Sequence, residues 1–244
     1  MLRNDHTYQA DLALVHDLGF GFHGDRCAPG IRDLLEPVRR RGGLVLELGC
    51  GSGSLTRHLL AAGHRVLATD GSPAMVARAR AAVPAAQVRR LVLPDDPLPP
   101  VDAVVGVGNV LNYLRDEAEV ERALTAIAAA LRPDGVLALD LVDRRWGEDP
   151  RHLAPMARVR PSWAVFATSA LPDPGLLVRD FTTFVRSEDG GWRRADERHE
   201  IRLLQGQRVA DHLRASGVAA TVNPSFGVER LRAGMVAVIG RRTG

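Results

Sequence analysis

The stretch from Leu44 to Arg80 constrains this chain more than any other, because it reads in order as strand, glycine loop, helix, strand, acidic residue and helix. Leu44 to Leu48 is a short apolar run suited to a buried parallel strand. Gly49, Gly51 and Gly53 then let the backbone turn tightly beneath a ligand before a helix starts. That helix spans roughly Gly53 to Ala62 and stops at Gly63. Arg65 to Thr69 forms the next strand. Asp70 stands at its carboxyl end, where a carboxylate accepts hydrogen bonds from both hydroxyls of a ribose. Ser72 caps a further helix that holds Pro73 in its first turn. The unit is the half-fold of a nucleotide-cofactor protein.

Spacing discriminates between cofactors. The dinucleotide fingerprint is G-x-G-x-x-G, whereas these glycines fall at 49, 51 and 53 and Ser54 occupies the third fingerprint position. Glu47 lies two residues before the first glycine. A pyrophosphate would be repelled there and the ammonium of a methionine moiety attracted, so the residues point to a cationic cofactor rather than NAD. A Rossmann-like domain for NAD, or one without a ligand, is the competing reading, and the spacing disfavours it. Here the sequence resembles the class I S-adenosylmethionine-dependent methyltransferases, whose first motif is matched by Glu47-Leu48-Gly49-Cys50-Gly51-Ser52-Gly53. The resemblance implies S-adenosylmethionine as cofactor, the glycine loop under its methionine part, Asp70 on its ribose, and Asp95 or Asp96 on its adenine amino group. The cofactor set expected at the sheet edge is Glu47, Gly49, Cys50, Gly51, Gly53, Asp70, Gly71, Asp95, Asp96, Gly108 and Asn109.

Composition bounds the partners. A chain of 244 residues with 45% apolar content suits one well-buried domain with an appended cap. All 32 basic residues are arginine, which excludes lysine Schiff-base or lysine-base chemistry. The formal charge of +3 has no basic block beyond Arg39-Arg40-Arg41, so no nucleic-acid partner is favoured. Cys27 and Cys50 are too few for a metal knuckle, and no cluster with ligand spacing predicts a metal. With no signal peptide and no run near the ~20 apolar residues a bilayer span needs, the expected location is the cytoplasm.

Further along, Val88 to Leu93 and Val101 to Val107 read as the third and fourth strands. Asp116 caps a helix running to Leu131 with apolar residues at Val120, Leu124, Ile127 and Leu131, and Pro133-Asp134-Gly135 precedes a fifth strand from Val136 to Val142. After Asp143 the rhythm turns antiparallel, with strands over Arg158 to Thr168, Leu176 to Arg186 and Trp192 to Leu204. A helix from about Gln207 to Ser216 and strands near Val218 to Val222 and Met235 to Gly240 complete the main sheet. The expected fold is α/β: a Rossmann-like, doubly wound, mostly parallel seven-stranded sheet, an antiparallel β cap inserted after strand 5, and an N-terminal helical lid. The expected division is lid 1–41, cofactor-binding core 42–143, cap 144–205 and sheet completion 206–244, all in one methyltransferase domain.

Tyr8 through Pro29, Gly108 to Leu114 and the strand from Trp192 look similar to a bacterial group of small class I methyltransferases. Many of these carry His or an acidic residue where this chain has Asn109, which removes a base from that position. Methyl transfer from a sulfonium is an in-line displacement that chiefly needs an oriented nucleophile, and a base serves only a protonated oxygen or nitrogen. Tyr8, Leu12 and His16 share one face of the amino-terminal helix. Strand alternation puts Glu197 and His199 on the same side as Ile201 and Leu203. A buried pair satisfied by a neighbouring Arg is an equal reading of Glu197 and His199. The catalytic candidates are His199 first, then His16, with Tyr8. Asn112, Tyr113 and Glu197 are expected to bind substrate. His58, His64 and His212 are expected on solvated positions. The expected function is methyl transfer to an O, N or C nucleophile of a small molecule in specialised metabolism. An RNA or protein acceptor is the runner-up and a catalytically silent, cofactor-binding partner subunit the second class. Monomer and homodimer both stay open.

Overall fold

A computed structural model describes residues 7–244. The glycine-loop unit forms as its sequence dictates: β1 (Leu44–Leu48), α3 (Ser54–Ala61), β2 (Arg65–Asp70) and α4 (Pro73–Ala82), preceded by α1 (Ala10–Phe20) and α2 (Phe22–Arg40). Ser72 caps α4 by accepting from the Met75 N–H at 3.2 Å. Then follow β3 (Gln87–Arg90), β4 (Val101–Gly106), α5 (Glu117–Ala130) and β5 (Leu131–Val142). Asp116 caps α5 through the Glu119 N–H.

The main sheet has the strand order β10-β11-β5-β4-β1-β2-β3, where β10 is Val218–Asn223 and β11 is Met235–Arg242. Its first five strands pair in parallel, while β11 runs antiparallel to β5 and β10. Because β1 feeds outward to β2 on one side while β4 and β5 lie on the other, the carboxyl ends of β1 and β4 flank the point where strand order reverses. Ligands bind such sheets there. Apolar residues fill both faces: Leu46, Leu48, Leu124 and Leu139 on one, with α5 and α6 (Gly206–Ala215), and Ile31, Leu35, Val45 and Leu59 on the other, with α2 and α3.

The cap is a separate antiparallel sheet, β6-β7-β8-β9, made of Met156–Val159, Trp163–Asp173, Leu176–Arg186 and Trp192–Arg202. It has four strands where three were expected: the run from Arg158 to Thr168 is broken at Arg160-Pro161-Ser162, since Pro161 has no N–H for a ladder. β3 is also shorter than the expected run to Leu93. Asp96 accepts from the Val92 N–H and donates its own N–H to the Val92 carbonyl, so a local turn replaces the ladder.

The lid helix α1 is held from both sides. Asp17 pairs with Arg78 of α4, and Asp11 pairs with Arg193 of β9. Between these ion pairs Val15 packs against Trp163, Val165 and Val185 of the cap. Tyr8, expected on the first turn of α1, precedes it instead with φ 54°, although its ring still meets His16 at 5.1 Å between centroids.

Candidate functional site

A cleft opens at the carboxyl edge of the sheet, between the glycine loop, α1 and the turn after β4. The space between its walls is about 1260 Å³ with the open mouth included. The floor is Gly49, Gly51, Thr69, Asp70, Gly71 and Ser72. One end is closed by Leu91, Leu93, Asp95, Arg115 and Glu119, the other by Tyr8, His16 and Tyr113.

Gly49, Gly51 and Gly53 have φ of 65°, 55° and 89°, a backbone that only glycine adopts without strain. A Cβ on Gly51 or Gly108 would meet no atom within 4 Å. These two backbones therefore leave open space in the cleft. Asp70 accepts from the Gly51 N–H at 2.9 Å and the Ser72 N–H at 2.8 Å, one on each oxygen. A carboxylate offers about four acceptor positions, so two are left toward the cleft. Burial raises the Asp70 pKa, opposed by those two backbone donors. This donor and acceptor set fits a ribosyl cofactor lying over bare glycine backbone.

Several expected site residues stand elsewhere. Glu47 does not line the cleft: it is buried beneath the loop, accepts from the Thr56 hydroxyl at 2.6 Å, and burial pushes its pKa up to about 8. Its carboxyl thus faces the Thr56 hydroxyl beneath the loop, and burial disfavours its charged form. Cys50, Gly53, Asp96 and Asn109 also lie off the cleft wall. Cys50 is 6% exposed, and burial raises its thiol pKa. Of the two acidic candidates for the adenine end, Asp95 is on the wall, while Asp96 is spent on its turn with Val92.

Asn112, expected to bind substrate, is fully buried and staples three segments. Its amide donates to the carbonyls of Val142 and Arg202 and accepts from the Val142 N–H. His64, expected in solvent, is 5% exposed.

At the cap end, Tyr8 and Tyr113 are on the wall and His199 stands behind them, wholly buried. The His199 ring is caged by Tyr8, Tyr113 and Phe181 at 4.9, 5.7 and 4.9 Å between centroids. Tyr8 and Tyr113 hydroxyls are 3.3 Å apart, Tyr113 lies 3.4 Å from His199 Nδ1, and His199 Nε2 lies 3.2 Å from Glu197. Glu197 also accepts from the Gln9 N–H at 3.0 Å. Burial raises the pKa of both phenols. His16 is on the wall, and burial lowers its pKa to about 4, so it is a neutral ring with little proton affinity at neutral pH.

Sequence reasoning missed Arg115 and Glu119 on the cleft wall and, behind it, Asp140. Asp140 of β5, 0% exposed, accepts from the N–H groups of Gly108 and Asn109 and so fixes the turn after β4. A lone acid inside an apolar strand, Leu137 to Val142, was the available signal. Among the described residues no group of three or more His, Cys, Asp or Glu is placed to hold a metal. No helix among them is long and apolar enough to cross a membrane.

Residues 46–137 match a methyltransferase domain family. A Geobacillus sp. (strain WCH70) protein named as a methyltransferase is 29% identical over 165 residues, which span 64% of this chain and 65% of that protein. Trans-aconitate 2-methyltransferase of Escherichia coli is 32% identical over 135 residues, 54% of this chain and 51% of that enzyme. The matches thus span between half and two thirds of these relatives' lengths. Among solved structures, the sugar N-methyltransferase KedS8 of Streptoalloteichus sp. aligns with TM-score 0.79 at 23% identity, over 97% of this chain and 94% of that one. DesVI of Streptomyces venezuelae aligns with TM-score 0.76 at 21% identity, over 97% and 100%. These likenesses extend the shared fold through lid and cap. Sheet order and cleft define a Rossmann-like methyltransferase fold. Residues 46–137 thus carry a methyltransferase domain match, within a chain whose fold is that of S-adenosylmethionine-dependent methyltransferases.

Proposed function

We propose that this protein transfers the methyl group of S-adenosylmethionine to an amine or hydroxyl of a small molecule. The observation that carries the reading is a single cleft with Asp70 and bare Gly51 at one end and the Tyr8, His16 and Tyr113 wall at the other. When bound, the cofactor supplies an electrophilic methyl carbon on a positively charged sulfur.

The chain's own residues have three tasks. Asp70 holds the ribose, and Asp95, on the cleft wall, takes the adenine end. The lid and cap shut water from the reacting end, where α1 is tied to α4 through Asp17 and to β9 through Asp11. The phenol pair orients the nucleophile, and orientation is the main requirement of an in-line displacement. A small acceptor is supported by this roofing, which leaves little room for a folded macromolecule, and by the whole-length likeness to a sugar N-methyltransferase.

Calorimetry with S-adenosylmethionine and NAD, followed by detection of S-adenosylhomocysteine with a panel of amino sugars, tests the proposal. Binding of S-adenosylmethionine and product formation with a panel member are expected. Tight NAD binding without S-adenosylmethionine binding would overturn it.

A further inference from the structure

The residues behind the cleft wall form one hydrogen-bonded line with a consistent direction. Glu197 accepts from the Gln9 N–H through Oε1, and its Oε2 faces His199 Nε2 at 3.2 Å. A carboxylate beside one imidazole nitrogen draws the proton to that nitrogen, which leaves the other as an acceptor. His199 Nδ1 thus presents its lone pair to the Tyr113 hydroxyl at 3.4 Å, and Tyr113 in turn accepts from Tyr8 at 3.3 Å. Only the Tyr8 and Tyr113 end reaches the cleft; His199 is 0% exposed.

We propose that Tyr8, Tyr113, His199 and Glu197 form a proton relay that carries the acceptor's proton out of the cleft and parks it on buried His199. The proposal rests on the methyl-transfer reading and names how that site treats a protonated nucleophile. In the relay, the acceptor's N–H or O–H bond breaks and its proton bonds to the Tyr8 oxygen. The Tyr8 proton passes to Tyr113, and the Tyr113 proton passes to His199 Nδ1. Both phenols end neutral, the imidazolium lies against the Glu197 carboxylate, and the acceptor keeps the electron pair of its broken N–H or O–H bond as the nucleophile.

Charged groups on neighbouring strands face the line. Arg179 of β8 lies directly opposite His199 in the ladder and over the Phe181 ring at 5.2 Å, close enough to favour negative charge on both phenol oxygens. Its guanidinium opposes a cation on His199, and Glu197 compensates. His16 from α1 is within electrostatic reach of His199, and Asp70 from β2 is within reach of Tyr8. The backbone of Tyr8 is held in a left-handed conformation, with its carbonyl accepting from the Ser72 hydroxyl at 2.7 Å and the next N–H bonded to Glu197. Strain held in place on both sides belongs to a group whose position matters. His199, first choice as a base, thus acts through the tyrosines and does not touch the acceptor.

The test needs no acceptor. In the whole protein labelled with ¹⁵N-histidine, the neutral His199 ring is expected to carry its proton on Nε2. A proton gained at Nδ1 is expected to exchange quickly with water despite full burial, because the phenols connect that nitrogen to the cleft. Tyr113→Phe and Tyr8→Phe should each slow that exchange at least tenfold without changing S-adenosylmethionine affinity more than twofold by calorimetry. Glu197→Gln should redistribute the His199 tautomer. A proton resident on Nδ1 of the neutral ring, or an exchange rate unmoved by both phenylalanine variants, overturns the relay. Loss of S-adenosylmethionine binding by the unaltered protein would instead overturn the methyl-transfer reading. With a panel acceptor that turns over, Tyr113→Phe should lower kcat about 10- to 1000-fold and remove the acid limb of its pH profile; an unchanged profile also overturns the relay.

Discussion

Asp140 Oδ2 lies 2.6 Å from Nε2 of His23, which ties β5 to α2 of the lid through a carboxylate with no exposed surface. The same carboxylate holds the Gly108 and Asn109 N–H groups, and Asn109 sits there at φ 56°. Removing Asp140 leaves these donors without their acceptor. Asp140→Ala should therefore cost about 3 to 5 kcal/mol in urea unfolding. His23→Ala, whose side chain is 25% exposed, should cost less than half as much. Equal losses in the two variants would mean that the lid contact, not the turn, is the main role of Asp140.

Glu47 sets the alkaline side of stability. Its folded pKa is about 8 against an ordinary 4.5, so the folded state holds a proton that the unfolded chain releases. This contribution is complete below pH 4.5 and is lost as pH rises to about 8, on the order of 4 kcal/mol across the window. In urea titrations at pH 5 and pH 8.5, Glu47→Gln should lose much less stability between the two than the unaltered protein. Parallel losses would show that another group carries the dependence.

His16 acts in the opposite direction. Burial holds its folded pKa near 4 against an ordinary 6.5, so the unfolded chain takes up the proton first. Its contribution is complete above pH 6.5 and is lost as pH falls toward 4, about 3 kcal/mol in all. His16→Gln should flatten this acid slope in the same titrations. An unaltered slope would place the acid-sensitive group elsewhere.

The sheet was legible because each of its elements carries a local mark: glycines around Leu48, Asp70 at a strand end, Ser72 before Pro73, Asp116 before a helical apolar repeat. The cap was legible as antiparallel, but Pro161 divides a run whose composition is uniformly strand-forming. At the site, residue type gave the parts without their depth. Asp95 and Asp96 are chemically identical, and only the backbone turn at Val92 decides which one faces the cleft. Glu47 reads as a charge in sequence, whereas burial makes it a proton donor or acceptor within the loop. Asn112 and Tyr113 are neighbours on one short turn, yet one is a core staple and the other a cleft wall. Such differences are set by contacts with Val142 and Arg202, distant in sequence.

Asn112 supplies a direct check on that distinction. Its amide satisfies backbone groups of β5 and β9 inside the core, where an unmade hydrogen bond costs about 1 to 3 kcal/mol per group. Asn112→Ala should lower unfolding stability by about 2 to 4 kcal/mol while leaving S-adenosylmethionine affinity within twofold at 10 °C. A large loss of affinity in a variant that melts normally would return Asn112 to the binding residues.

Asp70 carries the sharpest prediction for the cofactor. Its two oxygens are anchored by Gly51 and Ser72 N–H groups, which aims the remaining acceptor positions at the cleft before any ligand arrives. A preset charged acceptor for two hydroxyls is worth about 1 to 3 kcal/mol, so Asp70→Ala should weaken S-adenosylmethionine binding about 5- to 150-fold in calorimetry. Asp70→Asn keeps the shape but replaces one acceptor with an NH2 group facing a backbone donor, so it should bind as poorly as the alanine variant. S-adenosylhomocysteine carries the same ribose and should lose affinity by the same factor in both variants. Adenine alone, which has no ribose, should bind equally to all three proteins. If both variants hold S-adenosylmethionine as tightly as the unaltered protein, Asp70 is a loop anchor and the ribose lies against another part of the cleft.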